Sequence, residues 1–340
     1  MRLALSLTLC LSIAACSSDP DPANTDAGNT PVDTGTPGAD AGDTDSGTPP
    51  TDAGDTDAGN PTDAGNPTDA GNTPTCGSER PDISSIRGTE GLVIGPDGTI
   101  YYSQSRAVGR LRPGMAPEPT WASLPSGATT VWGLALDTAR NRLYVGVPTT
   151  RVIYVIDTTA DAPSGMPYVS TAGQPNGLTI AADGTLYYSD FGGGHVYRVP
   201  VDGMRARVTT STIAQANGLA FNTDGRLYVD SYGAGSLIAL TLTDGAETAR
   251  ETIATNLGAP DGLAFDAMGR IYIGDNGRGR VIRLDPDGSN PMTLRSGVSQ
   301  AANVEFGAGA LPCSDIYVAS GGVLARIEGD TPGAAVPWHR

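Results

Sequence analysis

Six residues, spaced 42, 44, 41, 44 and 42 positions apart, each head a short apolar run: Glu90, Trp132, Asn176, Asn217, Asp261 and Asn303. Four of them, Glu90, Asn176, Asn217 and Asp261, supply two carboxylates and two amide carbonyls, with no thiolate or imidazole. Hard oxygen donors of this kind suit Ca2+ first and Mg2+ or Mn2+ after it, with water or substrate completing the shell. Without a cation, carboxylates crowded at one narrow place would repel each other. A plainer reading also exists, because Asn-Gly or Asp-Gly ahead of a strand is ordinary turn chemistry. Glu90 fits that reading poorly, since Asp or Asn serves a turn better.

These residues can act together only if the chain folds them to one place, and the repeat around them supplies the means. "PNGLTIAADGTLYYSD" at 175, "ANGLAFNTDGRLYVDS" at 216 and "PDGLAFDAMGRIYIGD" at 260 share one grammar: strand, Asp-Gly-type turn, strand, Gly-rich turn, strand. The glycines permit the positive φ such turns demand, and alternation as in "HVYRV" suits half-buried strands. Outer strands are expected in residues 207–214 and 249–255, and no run has helical periodicity. Six such units within residues 76–340 predict an all-β six-bladed β-propeller of four-stranded blades. In that architecture the first strand of every blade lines the central channel, so the six heading residues converge on one mouth. The last unit lacks an obvious outer strand, which the segment after Cys76 could supply. Asp190, Asp230 and Asp275 recur near the end of second strands, before Gly-rich turns, and are expected to cap those turns.

The rest of the chain reads differently. "MRLALSLTLCLSIAAC" carries one Arg and then an apolar run too short to span a bilayer, as in a secretory signal over residues 1–15. Ile13-Ala14-Ala15-Cys16 has the small-residue pattern of a bacterial lipobox, which makes Cys16 the expected lipidation site. Residues 17–75 hold twelve Asp, no basic residue and no aromatic one. A segment so polar cannot bury enough apolar area to offset chain entropy, so residues 16–75 are expected to form a disordered tether. Of the net charge of −16, the tether accounts for −12 and Arg2 for +1, leaving about −5 elsewhere. No basic face signals nucleic acid. The chain is thus expected at the cell envelope, exported and held by its lipid alone, with Ser17 and Ser18 favouring the outer membrane. A monomer is expected. With Cys10 in the signal and Cys16 lipidated, Cys76 and Cys313 remain and are expected to pair, stapling the N-terminal segment to blade six.

The later blades carry a resemblance. "ANGLAF…LYVDSYGAGSLIAL", "PDGLAFDAMGRIYIG…RVIRLDPDG" and "ANVEFG…DIYVASGG" resemble the senescence marker protein (regucalcin)/gluconolactonase family. Paraoxonase and diisopropyl fluorophosphatase are wider relatives. The resemblance spans residues 80 to about 330 and implies a catalytic divalent cation held by Glu90, Asn176, Asn217 and Asp261. In the gluconolactonase branch the residue matching Asn176 is often given to substrate. The implied activity is hydrolysis of a lactone or related ester, with Asp261 as ligand or base orienting the attacking water. Asn303, Trp132 and His195 are the candidates for substrate contact. Paraoxonase uses a histidine pair, which this chain, with only His195 and His339, does not reproduce in an evident way. The same repeat grammar resembles NHL repeats, so the alternative is a non-catalytic binding or sensory propeller.

Overall fold

The architecture was obtained as a computed structural model that describes residues 76–87 and 90–335. The expected signal, Cys16 and tether lie outside the described residues, as does His339. Among the described residues the chain forms six antiparallel sheets in sequence order, five of four strands and one of three. The first strands of blades one to six are Leu92–Ile94, Leu134–Asp137, Pro175–Ile180, Ala216–Phe221, Pro260–Phe265 and Ala301–Phe306. Their second strands are Ile100–Ser103, Arg142–Val147, Leu186–Asp190, Leu227–Ser231, Ile271–Asp275 and Ile316–Ser320. This is the six-bladed β-propeller that the repeat predicts.

Each blade is a meander whose hairpins follow from local chemistry. Asp97 accepts the amide of Thr99 and Asp183 that of Thr185, each closing the first hairpin around a glycine of positive φ, Gly98 at 90° and Gly184 at 86°. The outer strands at 206–207 and 246–254 replace the two expected ranges, the first much shorter and the second beginning earlier.

What binds the blades to one another is apolar. Six hydrophobic clusters occur, one between each pair of neighbouring blades, including blades six and one. The second strand of every blade places a tyrosine in them: Tyr101, Tyr144, Tyr187, Tyr228, Tyr272 and Tyr317, all buried. In three interfaces the ring meets edge-on a phenylalanine ending the next blade's first strand. The pairs are Tyr187–Phe221, Tyr228–Phe265 and Tyr272–Phe306, with centroids 4.9–5.2 Å apart.

Ring closure uses both ends of the described chain. Cys76 and Cys313 form a disulfide with a Cα–Cα distance of 5.3 Å. Gly77 and Glu79 donate backbone hydrogen bonds to Gly309 and Ala310, and Arg80 pairs with the buried Asp315. The N-terminal segment reaches the free edge of blade six through a single bridge, Arg87 to Val323, and adds no strand there. At the foot of the channel, Ala334 donates to the carbonyl of Phe265 and Gly333 bridges Asp266, seating residues 333–334 on the channel lining.

Candidate functional site

The first strands do not begin as regular ladders. In blade four Ala216 pairs with Ser231 and Leu219 with Val229, so Asn217 and Gly218 together oppose Asp230. Blade five repeats this, with Asp261 and Gly262 opposite Gly274, and blade three does so with Asn176 and Gly177 opposite Ser189. Such a bulge bends the strand and re-aims its side chains. Asn176, Asn217 and Asp261 are therefore second residues of strands, at bulges, and a turn role does not describe them.

The glycine that follows the heading residue in blades one to five also has a reason that is not a turn. A Cβ on Gly177 would lie 2.3 Å from the carbonyl oxygen of Asn217, and one on Gly218 2.4 Å from that of Asp261. On Gly133 it would lie 1.9 Å from the carbonyl oxygen of Asn176. Neighbouring first strands approach this closely only because no side chain intervenes. The consequence is a narrow channel of about 90 Å³, several waters' worth. Glu90, Trp132, Asn176, Asn217, Asp261 and Asn303 all line it.

The structure thus brings the four predicted cation ligands to one lining. Asn176, Asn217 and Asp261 are 5%, 2% and 5% exposed, and Glu90 is partly covered. Burial raises Glu90 to about 7. Asp261 is held well above the ordinary carboxylate range, first by burial, then by the charge of Glu90 and that of Asp230. Hydrogen bonds from Asn276 and Asn217 oppose that rise, the Asn276 amide donating to Asp261 Oδ2 at 2.8 Å. Oδ1 of Asn217 is buried with no partner. Among the described residues no group of three or more His, Cys, Asp or Glu side chains is already gathered to hold a metal. A cation here would therefore lean on amide oxygens as well. The donor set suits Ca2+, and the orphaned amide oxygen and raised acids are features a bound cation would relieve.

The remaining predicted contacts divide. Trp132 borders the channel and meets Phe191 edge-on at 5.7 Å; Phe191 meets Tyr232 the same way at 5.6 Å. Phe191, Tyr232 and Asn276 each directly follow the second strand of blades three, four and five. The repeat carries this signal at the position that follows each second strand. Asn303 has both ends of its amide engaged, Nδ2 donating to the carbonyl of Leu92 and Oδ1 accepting from the amide of Val304. His195 opens a third strand, two strands outward from the channel or about 10 Å by strand spacing. Its Nδ1 contacts Thr209 Oγ1 at 2.9 Å, and burial lowers its pKa.

The expectation for Asp190, Asp230 and Asp275 needs correction. Asp190 accepts the amides of Gln174 and Gly193, and Asp275 accepts those of Ala259 and Arg278, so both cap turns. Asp190 pairs with Pro175 and Asp275 with Pro260, but the residue paired in the same way in blade four is Ser231. Asp230 is one residue earlier, so its side chain takes the opposite face of the strand.

Three solved structures place the fold among known propellers. A gluconolactonase from Xanthomonas campestris is 24% identical with a TM-score of 0.60, covering 74% of this chain and 88% of its own. A calcium-binding protein, regucalcin, from Agrobacterium tumefaciens is 19% identical with a TM-score of 0.61, covering 76% and 96%. A luciferin-regenerating enzyme is 18% identical with a TM-score of 0.62, covering 74% and 95%. At these identities the likeness establishes the fold alone. No curated protein sequence matches the chain. The family model described as SMP-30/Gluconolactonase/LRE-like region matches residues 90–322, from the glutamate of blade one to the last hairpin of blade six. That span takes in every heading residue at the channel mouth, and the chain belongs to this SMP-30/gluconolactonase family.

Proposed function

We propose that the chain is a calcium-dependent hydrolase of lactones or related esters, acting at the mouth of the propeller channel. The observation that carries this reading is the convergence of Glu90, Asn176, Asn217 and Asp261 on one lining, with Asn217 Oδ1 buried and unpartnered. Family membership supports it, as does the description of structurally similar proteins as a gluconolactonase and a calcium-binding protein.

The cation, when bound, would supply Lewis-acid polarisation of the substrate carbonyl. Asn276 fixes the carboxylate of Asp261 through Oδ2, orienting it to position a water or accept its proton. The half-buried rings of Trp132, Phe191 and Tyr232 form an apolar arc beside the mouth and would position the hydrophobic part of a substrate.

The test is calorimetric calcium titration of the full chain beside its Asp261→Ala variant, with hydrolysis of a small panel of lactones and aryl esters. Saturable binding and calcium-dependent hydrolysis are expected, with the variant losing both, turnover falling about 1000-fold. A folded wild-type protein that binds no calcium would sink the reading and favour the non-catalytic binding propeller.

We also propose that Cys16 carries a lipid and that residues 16–75 space the propeller, residues 76–340, from the membrane. The expected result is that a Cys16→Ser variant leaves the membrane fraction for the soluble one. Retention in the membrane fraction would refute the anchor.

A further inference from the structure

Asp230 is the anomaly of the molecule. It is fully buried, and neither carboxylate oxygen has a hydrogen-bond partner. Among the described residues no other buried carboxylate oxygen lacks a partner, and the amide oxygen of Asn217 shares that condition. An acid left so costs stability unless something compensates it.

Its position says what that something is. The residue opposite the first-strand bulge is Ser189 in blade three, Gly274 in blade five and Ala319 in blade six. In blade one, Ser103 receives the amides of Glu90 and Gly91 at 2.9 Å. In blade three, Ser189 receives that of Gly177 at 2.9 Å. These small side chains brace the backbone that presents the heading residue. Blade four has an acid in that place, directly behind Asn217 and Gly218, with its Oδ2 2.8 Å from where a Gly218 Cβ would stand. Serine would suffice to brace the bulge, so bracing does not explain the charge. Asn217, whose amide oxygen is the other orphan, stands on the channel side of the same bulge.

We infer that Asp230 is a buried counter-charge of the cation site, a third carboxylate that acts on the metal through the bulge of blade four. The inference rests on the calcium reading of that site. It adds a third carboxylate, beneath Asn217, to the two on the lining, and it distinguishes this chain from a site built of strand-heading residues alone.

The experiment compares the full chain with Asp230→Asn, which keeps the shape, and Asp230→Ser, which installs the residue of blades one and three. Calcium affinity is measured by calorimetry and terbium affinity by its sensitised luminescence, each metal alone, with thermal unfolding of the metal-free proteins as the folding check. Both variants are expected to melt at or above the wild-type temperature without metal. They should bind calcium at least tenfold more weakly, and terbium affinity should fall by a larger factor, because the trivalent ion feels the lost charge more. A folded variant of wild-type affinity for both ions would overturn the role of Asp230 while leaving the calcium site standing. Absence of calcium binding by the wild type would overturn the calcium reading itself.

Discussion

Within each blade the two ends of the first strand do opposite work. In blade five the strand begins at a bulge with Asp261, a buried acid whose pKa is held up by burial and by neighbouring acids, and ends at Phe265, packed edge-on against Tyr228. The start stores electrostatic strain in a narrow channel; the end secures two blades by burying rings. Asp261 and Phe265 stand four positions apart on one six-residue strand, Pro260–Phe265. A repeat protein can hold an unfavourable cluster of acids because the apolar ends of the same strands stabilise the ring around it.

The sharpest way to break this division is at the apolar end. Phe265→Ala should cost about 4 kcal/mol of stability, by lost burial and the cavity left behind. Below its melting temperature it should leave calcium affinity within about twofold of wild type. Chemical denaturation with calorimetry checks both, and a large affinity loss in the folded variant would mean that the two ends are not separable.

The opposite end predicts a dependence on pH. The folded pKa of Glu90, about 7, lies above its ordinary value of 4.5, so the folded state binds more protons between those values. Its contribution is complete below about pH 4.5 and is lost as pH climbs to 7, about 3 kcal/mol in all. Saturating calcium should flatten that decline. Metal-free protein whose stability is level or rising over this window would contradict the reading of Glu90.

A smaller effect is expected between the two ends. Gly177→Ala puts a Cβ against the carbonyl of Asn217 and should cost about 2 kcal/mol, forcing blades three and four apart. Because Asn176 and Asn217 then separate, calcium affinity should weaken as well, unlike in Phe265→Ala. Unchanged affinity would show that the spacing of these two residues does not matter to the site.

Much of this was legible beforehand. The six units, the Asp-Gly hairpins, the disulfide and the channel-lining place of Glu90, Asn176, Asn217 and Asp261 follow from spacing and residue type. Asp230 was not legible in the same way. Listed beside Asp190 and Asp275 it looks like one more turn cap, and only the ladder register shows it one residue early and hence on the other face. Phe191 and Tyr232 were similarly hidden, because a ring after a strand end acquires meaning only when the neighbouring blade supplies Trp132 as its partner.

By itself the sequence determined the blade count, the hairpin chemistry and the identity of the residues at the channel, because each is a periodic or local property. The tertiary structure decided which face Asp230 takes, how close neighbouring first strands come, and how the incomplete blade six is tied to the chain's start. Those depend on register, on a bulge that inserts one residue, and on contacts across 237 positions between Cys76 and Cys313. No local pattern encodes such relations, since each is settled by how strands distant in the chain pack around a common axis.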